Sequence, residues 1–342
     1  MRITDLELVA GPGGYEVIES ASVLHCAEPV VVEPNSTLDD TLVQSAAQTL
    51  RRIPAPTVLL GQPGDPEWLL DAVDICLTTA SDEVALPWVC ASVDEVIERV
   101  RLQPLAAMSL VVLLRDTAGI SVRSAVAEES ATYAMLLGSA SFGEWLTRRG
   151  AGRHKAVSGP PVLAKRQDGL LRLVLNRPEA RNAIDSDMRD ALVEYLELAA
   201  IEPDLHVEVR GSGECFSAGG DLEEFGDVAD PATAHAVRLT RHPGLALHEV
   251  ASRATCYVHG PCVGAGVEMP AFASSVVADP SATFSLPELE MGLIPGAGGT
   301  VSIPRRIGRH RTAWLAITGR EIDARRSLAW GLVDKLEPVR TI

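Results

Sequence analysis

Positive charge is scarce in this chain. Its 342 residues carry 30 Lys and Arg against 46 Asp and Glu, a formal net charge of −16. A general nucleic-acid binder would show a basic stripe, so no nucleic-acid partner is expected, and the charge favours solubility. Long apolar runs are missing as well. No stretch of about 18 apolar residues exists to span a bilayer. The opening "MRITDLELVAGPGG" lacks the basic start and apolar core of a signal peptide. A soluble, cytoplasmic protein with no membrane partner is expected.

Metal and nucleotide signatures are absent too. The six cysteines (Cys26, Cys76, Cys90, Cys215, Cys256, Cys262) form no C-x-x-C pair, and no His/Cys spacing reads as a zinc site. Buried thiols are the expectation. His248-Glu249 is followed by Ser252 where an H-E-x-x-H helix needs its second histidine, and "GAGGT" lacks the Gly-Lys of a phosphate loop. "GAGVEM" lacks the third glycine of a dinucleotide fingerprint, and "CFSAG" misses the first glycine of a nucleophile elbow. These absences remove metal hydrolases, NTPases, nicotinamide enzymes and the common serine hydrolases. No metal or redox cofactor is called for.

What remains is an apolar chain, 46% hydrophobic and 22% charged, long enough for about two domains. The first sixty residues read as short strands broken by Gly and Pro, clearest at "VVVEP" and "PTVLLG". A helical stretch follows. Val93, Val96, Ile97 and Val100 share one face, Pro104 breaks the helix, and Ser121 opens another with apolar spacing through Tyr133 and Leu136. "GAGRHKAVSGPP" (Gly150 to Pro161) has a linker's composition. It separates an N-terminal domain, 1–155, from a second domain, 160–342. Beyond it strands and helices alternate, which argues for α/β layering. One basic cluster, "PRRIGRHR" (Pro304 to Arg311), reads equally as local charge for an anionic ligand or as a solvated helix start.

Within "GAGVEMPAFASSVVADPSATFSLPE", Glu268 and Glu288 stand twenty residues apart among small and apolar neighbours. Such acids have either found polar partners or serve proton chemistry. Three segments carry a resemblance that decides between these. "LNRPEARNAID" (Leu175 to Asp185), "ECFSAGGDLEEF" (Glu214 to Phe225) and "GPCVGAGVEM…ATFSLPELEMGLIPGAGGT" (Gly260 to Thr300) stand in the order and spacing of the crotonase, or enoyl-CoA hydratase/isomerase, superfamily. The tail "TGREIDARRSLAWGLVDKL" resembles it too.

The resemblance implies an α/β fold, a crotonase-like ββα spiral core, here preceded by a smaller, mainly helical N-terminal domain. It implies thioester enolate chemistry, with the N–H groups of Gly220 and Ala265 as oxyanion donors, where such a donor contributes about 3–4 kcal/mol. Small residues in "SAGGD" and "GAG" permit the close backbone approach. Glu268 and Glu288 fall on both positions of the hydratase carboxylate pair, one handling water and the other the proton at the α-carbon. Ser217, Ala218 and Gly219 would line the adenine and pantetheine path, with Arg181 and Ala183 at the turn that contacts coenzyme A. Asp221 is expected to fix its loop and His259 to be a satisfied structural histidine. Coenzyme A enters as part of the substrate, not as a separate cofactor, and a homo-oligomer, trimer or hexamer, is expected.

One departure stands out. Family members continue for several dozen residues beyond "GLVDKL" in helices that cover the active site. The stretch from Ser92 to Gly150 looks like that cover, moved to the other end of the chain. The expected activity is reversible hydration of a 2-enoyl-CoA. The alternatives are double-bond isomerisation, thioester hydrolysis, decarboxylation, cofactor-independent oxygenation of an aryl-acetyl-CoA, or a non-catalytic acyl-CoA-binding subunit.

Overall fold

A computed structural model describes residues 3–4, 6–11, 14–21, 28–34, 39–80, 85–150, 159–226 and 230–340. The expected linker falls mostly on 151–158, outside the described residues, as does Cys26. The first ninety residues form a five-stranded, all-parallel sheet in the order β1 (Ile3–Thr4), β2 (Val30–Val32), β3 (Thr57–Leu60), β4 (Ile75–Thr78), β5 (Trp88–Cys90). Helices α1 (Leu6–Ala10), α2 (Gly14–Ser20), α3 (Asp40–Arg52) and α4 (Glu67–Ala72) connect its strands. The expectation of strands alone over the first sixty residues is therefore corrected. In α3, Ala46, Ala47 and Leu50 fall on one buried face, and Asp39 caps its start by accepting from the N–H groups of Thr41 and Leu42. The N-terminal region is a layered α/β unit followed by helices. Strands β2 to β5 are largely buried along their whole length, so they lack the alternation that marks a half-exposed strand.

Four helices follow: α5 (Val93–Leu102), α6 (Pro104–Asp116), α7 (Val122–Leu137) and α8 (Ala140–Arg149). Serines at 92, 121 and 139 cap α5, α7 and α8, each accepting a backbone N–H of the first turn. Pro104 sits in the first turn of α6, where its missing N–H costs nothing.

The second half holds two further sheets. A six-stranded sheet runs β14 (Lys335–Leu336), β11 (Ser275–Ala278), β9 (Ala254–Val258), β8 (His206–Gly211), β7 (Leu170–Leu175), β6 (Val162–Gln167), parallel except for the β6–β7 hairpin. A small sheet joins β10 (Pro261–Val263), β12 (Thr283–Ser285) and β13 (Ile322–Asp323). Helices α9 (Ser186–Ala200), α10 (Pro231–Thr240), α11 (Pro243–Glu249), α12 (Ala265–Glu268), α13 (Gly299–Ser302), α14 (Pro304–Thr318) and α15 (Ala324–Trp330) surround them. No described helix is long and apolar enough to cross a membrane.

The cluster "PRRIGRHR" is neither a ligand site nor a solvated helix start. α14 kinks at Gly308, whose φ is 76°, and its basic side chains are spent on carbonyls across the molecule. Arg309 donates to Val73 O and Asp71 O, each at 2.7 Å, and His310 Nε2 lies 2.8 Å from Leu70 O. Arg306 donates to Ala271 O and Ala273 O, and Arg311 to Trp88 O at 3.2 Å. Buried carbonyls at element ends need donors, and this cluster supplies them where the first sheet meets the second half.

Candidate active site

A cavity of about 1020 Å³ opens between α7–α8 on one side and the loops around β10–α12 on the other. Its polar wall is built by three chain turns. In the first, Ala218 N–H donates to Arg181 O and Ile184 N–H to Gly219 O. In the second, Val263 N–H donates to Ser217 O, which draws β10 alongside. Gly219, at φ 95°, presses on that strand so closely that a Cβ would lie 2.8 Å from Val263 O and 3.7 Å from Ala265 N. Only glycine fits both the angle and the space. Gly220 and Ala265 then meet at the cavity, and neither N–H donates to an acceptor among the described residues.

Gly264, at φ 50°, forms the third turn. The site a Cβ would occupy lies against Glu288 Oε1 and 3.9 Å from Glu268 Oε1, so the two carboxyls flank one glycine. Both are buried, Glu268 2% and Glu288 8% exposed. Glu268 Oε2 accepts from Ala297 N–H at 2.7 Å and Gly299 N–H at 2.8 Å. Glu288 Oε2 has no partner in the described chain. Burial raises both acids. Glu268 is pushed well above the usual carboxylate range by burial and then by the charges of Glu288 and Glu129. Glu288 is pushed up to about 7, again by burial, with Glu129 adding to it.

Of the residues singled out in the sequence, Glu268, Glu288, Gly220, Ala265, Ala218 and Gly219 all border this cavity. Ser217, Arg181 and Ala183 do not. Ser217 is fully buried and holds the loop, donating to Asn182 O at 2.8 Å and accepting from Gly219 N–H. Arg181 is an exposed left-handed residue (φ 53°), and the cavity is instead bordered further along by Ile184, Ser186 and Arg189. Asp221 pairs with Arg177 at 2.9 Å and caps the turn at 222–224. His259 is buried, its Nε2 3.0 Å from Gly213 O, and lies off the cavity. Cys76, Cys215, Cys256 and Cys262 are buried and Cys90 partly so. No group of metal-binding side chains occurs among the described residues.

Sequence reasoning missed several wall residues. Tyr133 of α7 lies beside both carboxyls, and burial pushes its phenol up to about 12. The Arg238 guanidinium sits 4.2 Å over the Tyr133 ring. His242 accepts Leu245 N–H at 3.0 Å, and burial lowers it to about 4, so the imidazole is neutral. Phe142, Trp145 and Phe225 form an aromatic trio with centroids 5.8–6.4 Å apart. α10 and α11 carried no motif that would have flagged Arg238 or His242.

Two backbone N–H groups without an acceptor among the described residues border the same cavity as two buried carboxyls, an arrangement chemically able to stabilise charge that develops on one oxygen while a proton moves nearby. Residues 165–342 match the enoyl-CoA hydratase/isomerase family model, and the chain belongs to that family. It is 34% identical over 178 residues to 2,3-dehydroadipyl-CoA hydratase of Escherichia coli (strain K12), covering 52% of this chain and 69% of that protein. It is 33% identical over 181 residues to a mevalonyl-coenzyme A hydratase of Beauveria bassiana, covering 50% and 65%. The crystal structure of enoyl-CoA hydratase from Thermoplasma volcanium superposes with a TM-score of 0.49 at 31% identity, over 53% of this chain and 73% of that one. The chain thus spans about two thirds of these relatives' length.

Proposed function

We propose that the protein hydrates a 2-enoyl-CoA thioester reversibly, with Glu268 and Glu288 as its acid–base pair. The observation that carries this reading is that both carboxyls are buried against one cavity with different surroundings. Burial and the neighbouring acids raise Glu268, and the two backbone N–H bonds to its Oε2 work against that rise in favour of its anion. Glu288 has an unpartnered Oε2 and a pKa pushed up to about 7 by burial, which suits a proton carrier. Pairs of carboxyls whose surroundings differ in this way divide into acid and base.

The thioester oxygen would accept from Gly220 N–H and Ala265 N–H. Glu268 takes a proton from water as the water oxygen bonds to the β-carbon, and the electron pair of the double bond moves through the α-carbon onto the thioester oxygen. Glu288 then protonates the α-carbon as the enolate collapses. Passage of the proton from Glu268 to Glu288 resets the pair. Coenzyme A takes part only as the thioester carrier, and no step calls on a metal or redox group. α7 and α8 serve as the cover that holds water out of the rest of the cavity, a role the sequence resemblance assigns to helices at the other end of family members. A homo-oligomer belongs to the same reading.

The test is loss of the conjugated-thioester absorbance with crotonyl-CoA and with a longer or aryl enoyl-CoA. Hydration by the parent that falls by about 10²–10⁴ in both Glu268→Gln and Glu288→Gln supports the reading. A parent that binds acyl-CoA without losing absorbance overturns it.

A further inference from the structure

A third buried glutamate reaches the catalytic loop from the far half of the chain. Glu129 of α7 is 1% exposed. Its Oε1 accepts Gly298 N–H at 2.7 Å, and its Oε2 accepts Thr300 N–H at 2.9 Å and Thr300 Oγ1 at 2.7 Å. The neighbouring N–H groups, Ala297 and Gly299, go to Glu268 Oε2. Four consecutive N–H groups therefore alternate between two carboxylates on opposite sides of one strand of chain. We propose that Glu129 is a positioning residue that sets both the place and the basicity of Glu268. The inference rests on the hydratase reading for its kinetic form only.

Two effects follow from this interleaving. Mechanically, residues 297–300 cannot slide without breaking bonds to both acids. The fit is tight: a Cβ on Gly299 would lie 2.6 Å from Glu268 Cγ, and one on Gly296 would strike the Tyr133 ring. Electrostatically, burial pushes Glu129 up to about 7 while its three donor contacts pull it back toward the charged form, and negative charge there, present as pH rises through that range, makes Glu268 hold a proton more strongly. A general base works best when its affinity for protons approaches the working pH. The groups facing Glu268 are Glu288, Glu129 and Tyr133, with His242 and Arg238 from the α10–α11 side. Tyr133 and His242 are neutral near pH 7, and Arg238 is the cation, near enough to temper Glu129. Glu129 itself does not border the cavity, so it acts through Glu268 and not on substrate.

The test compares the full-length parent with Glu129→Gln and Glu129→Asp. Gln keeps the shape but removes the charge and turns an NH₂ toward one N–H donor. We expect kcat to fall at least about tenfold with KM within about twofold, and the acid limb of the kcat–pH profile to move down by about one pH unit. Asp keeps the charge but is one carbon short, so the limb stays near the parent's while kcat falls. Infrared titration of the carboxyl band that disappears in Glu268→Gln needs no turnover, and its midpoint should move down in the Glu129→Gln background. A band that moves in a parent unable to hydrate would sink the hydratase reading and leave the coupling standing. A parent that hydrates while neither limb nor band moves in Glu129→Gln overturns the proposal. Full parental kcat in Glu129→Asp overturns it as well, even if the Gln variant does not fold.

Discussion

Glu288 is held in a place that favours its neutral form, and that has a cost in stability that pH exposes. Its folded pKa is raised from the ordinary 4.5 to about 7, so the folded state binds the proton more tightly than the unfolded chain does. The associated stability is fully present below about pH 4.5 and is lost as pH rises through about 7. At pH 8 the loss is of the order of 3 kcal/mol for a shift of that size. Glu288→Gln is therefore expected to raise Tm at pH 8, with the gain shrinking toward zero near pH 4.5, as calorimetry across that range would read. A gain that does not change with pH would contradict the assignment. Under the proposed hydratase reading the same variant is expected to lose activity, the usual exchange between stability and function. Glu268 and Glu288 drew notice in the sequence as acids in an apolar run, and Gly220 and Ala265 through the motifs that carry the family resemblance; the structure brings all four to one cavity. Glu129 was visible only as one letter of a helix. Its partners lie about 170 residues away, and no local pattern encodes a bond of that span.

Elements explain the cavity's shape where residues explain its chemistry. α8 is held against the 222–226 turn by the Phe142–Trp145–Phe225 trio and by the Arg149–Glu223 pair at 3.0 Å. Aromatic pairs in offset and edge geometry add about 0.5–1.5 kcal/mol beyond the area they bury. Trp145→Ala removes two of these contacts and widens the cavity on one side. KM for acyl-CoA should rise about tenfold, equivalent to about 1.4 kcal/mol, with kcat within about threefold. A kcat collapse at unchanged KM would instead make Trp145 part of the chemistry. The helices from Ser92 onward were readable from periodicity and caps. Of the first sheet, β2 and β3 were readable as "VVVEP" and "PTVLLG", whereas the helices between its strands and the remaining strands were not, for a physical reason: the strands are two to four residues long, and β2 to β5 are largely buried. Their identity comes from pairing with strands distant in sequence, as in any parallel sheet.

At the scale of the whole molecule, the two sequence-defined domains share one core. Val58 and Leu77 of the first sheet, Val96, Leu110 and Val126 of the helices, and Leu173, Val209 and Trp314 of the second half belong to a single buried cluster. A second cluster, around Leu6, Leu50 and Leu59, sits on the outer face of the first sheet. Charge follows the same seam. Asp74, 2% exposed, pairs with Arg115 of α6 and lies 3.7 Å from Arg309 of α14. It also accepts from Thr57 N–H at 2.9 Å and Thr57 Oγ1 at 2.8 Å. The sequence presented "PRRIGRHR" as a basic patch because it showed the charges without the carbonyls and the aspartate that take them up. A boundary near residue 155 is thus a boundary in composition, whereas the packing runs across it. Calorimetry should therefore give one endotherm with equal van't Hoff and calorimetric enthalpies. Asp74→Ala, which leaves two guanidinium groups short of their shared acid, should lower that single Tm by the equivalent of about 3–5 kcal/mol. Two separable transitions in the parent, or a variant that melts its first ninety residues alone while retaining turnover, would mean that the N-terminal sheet is an independent unit and that the active site depends on the helices from Ser92 onward without it.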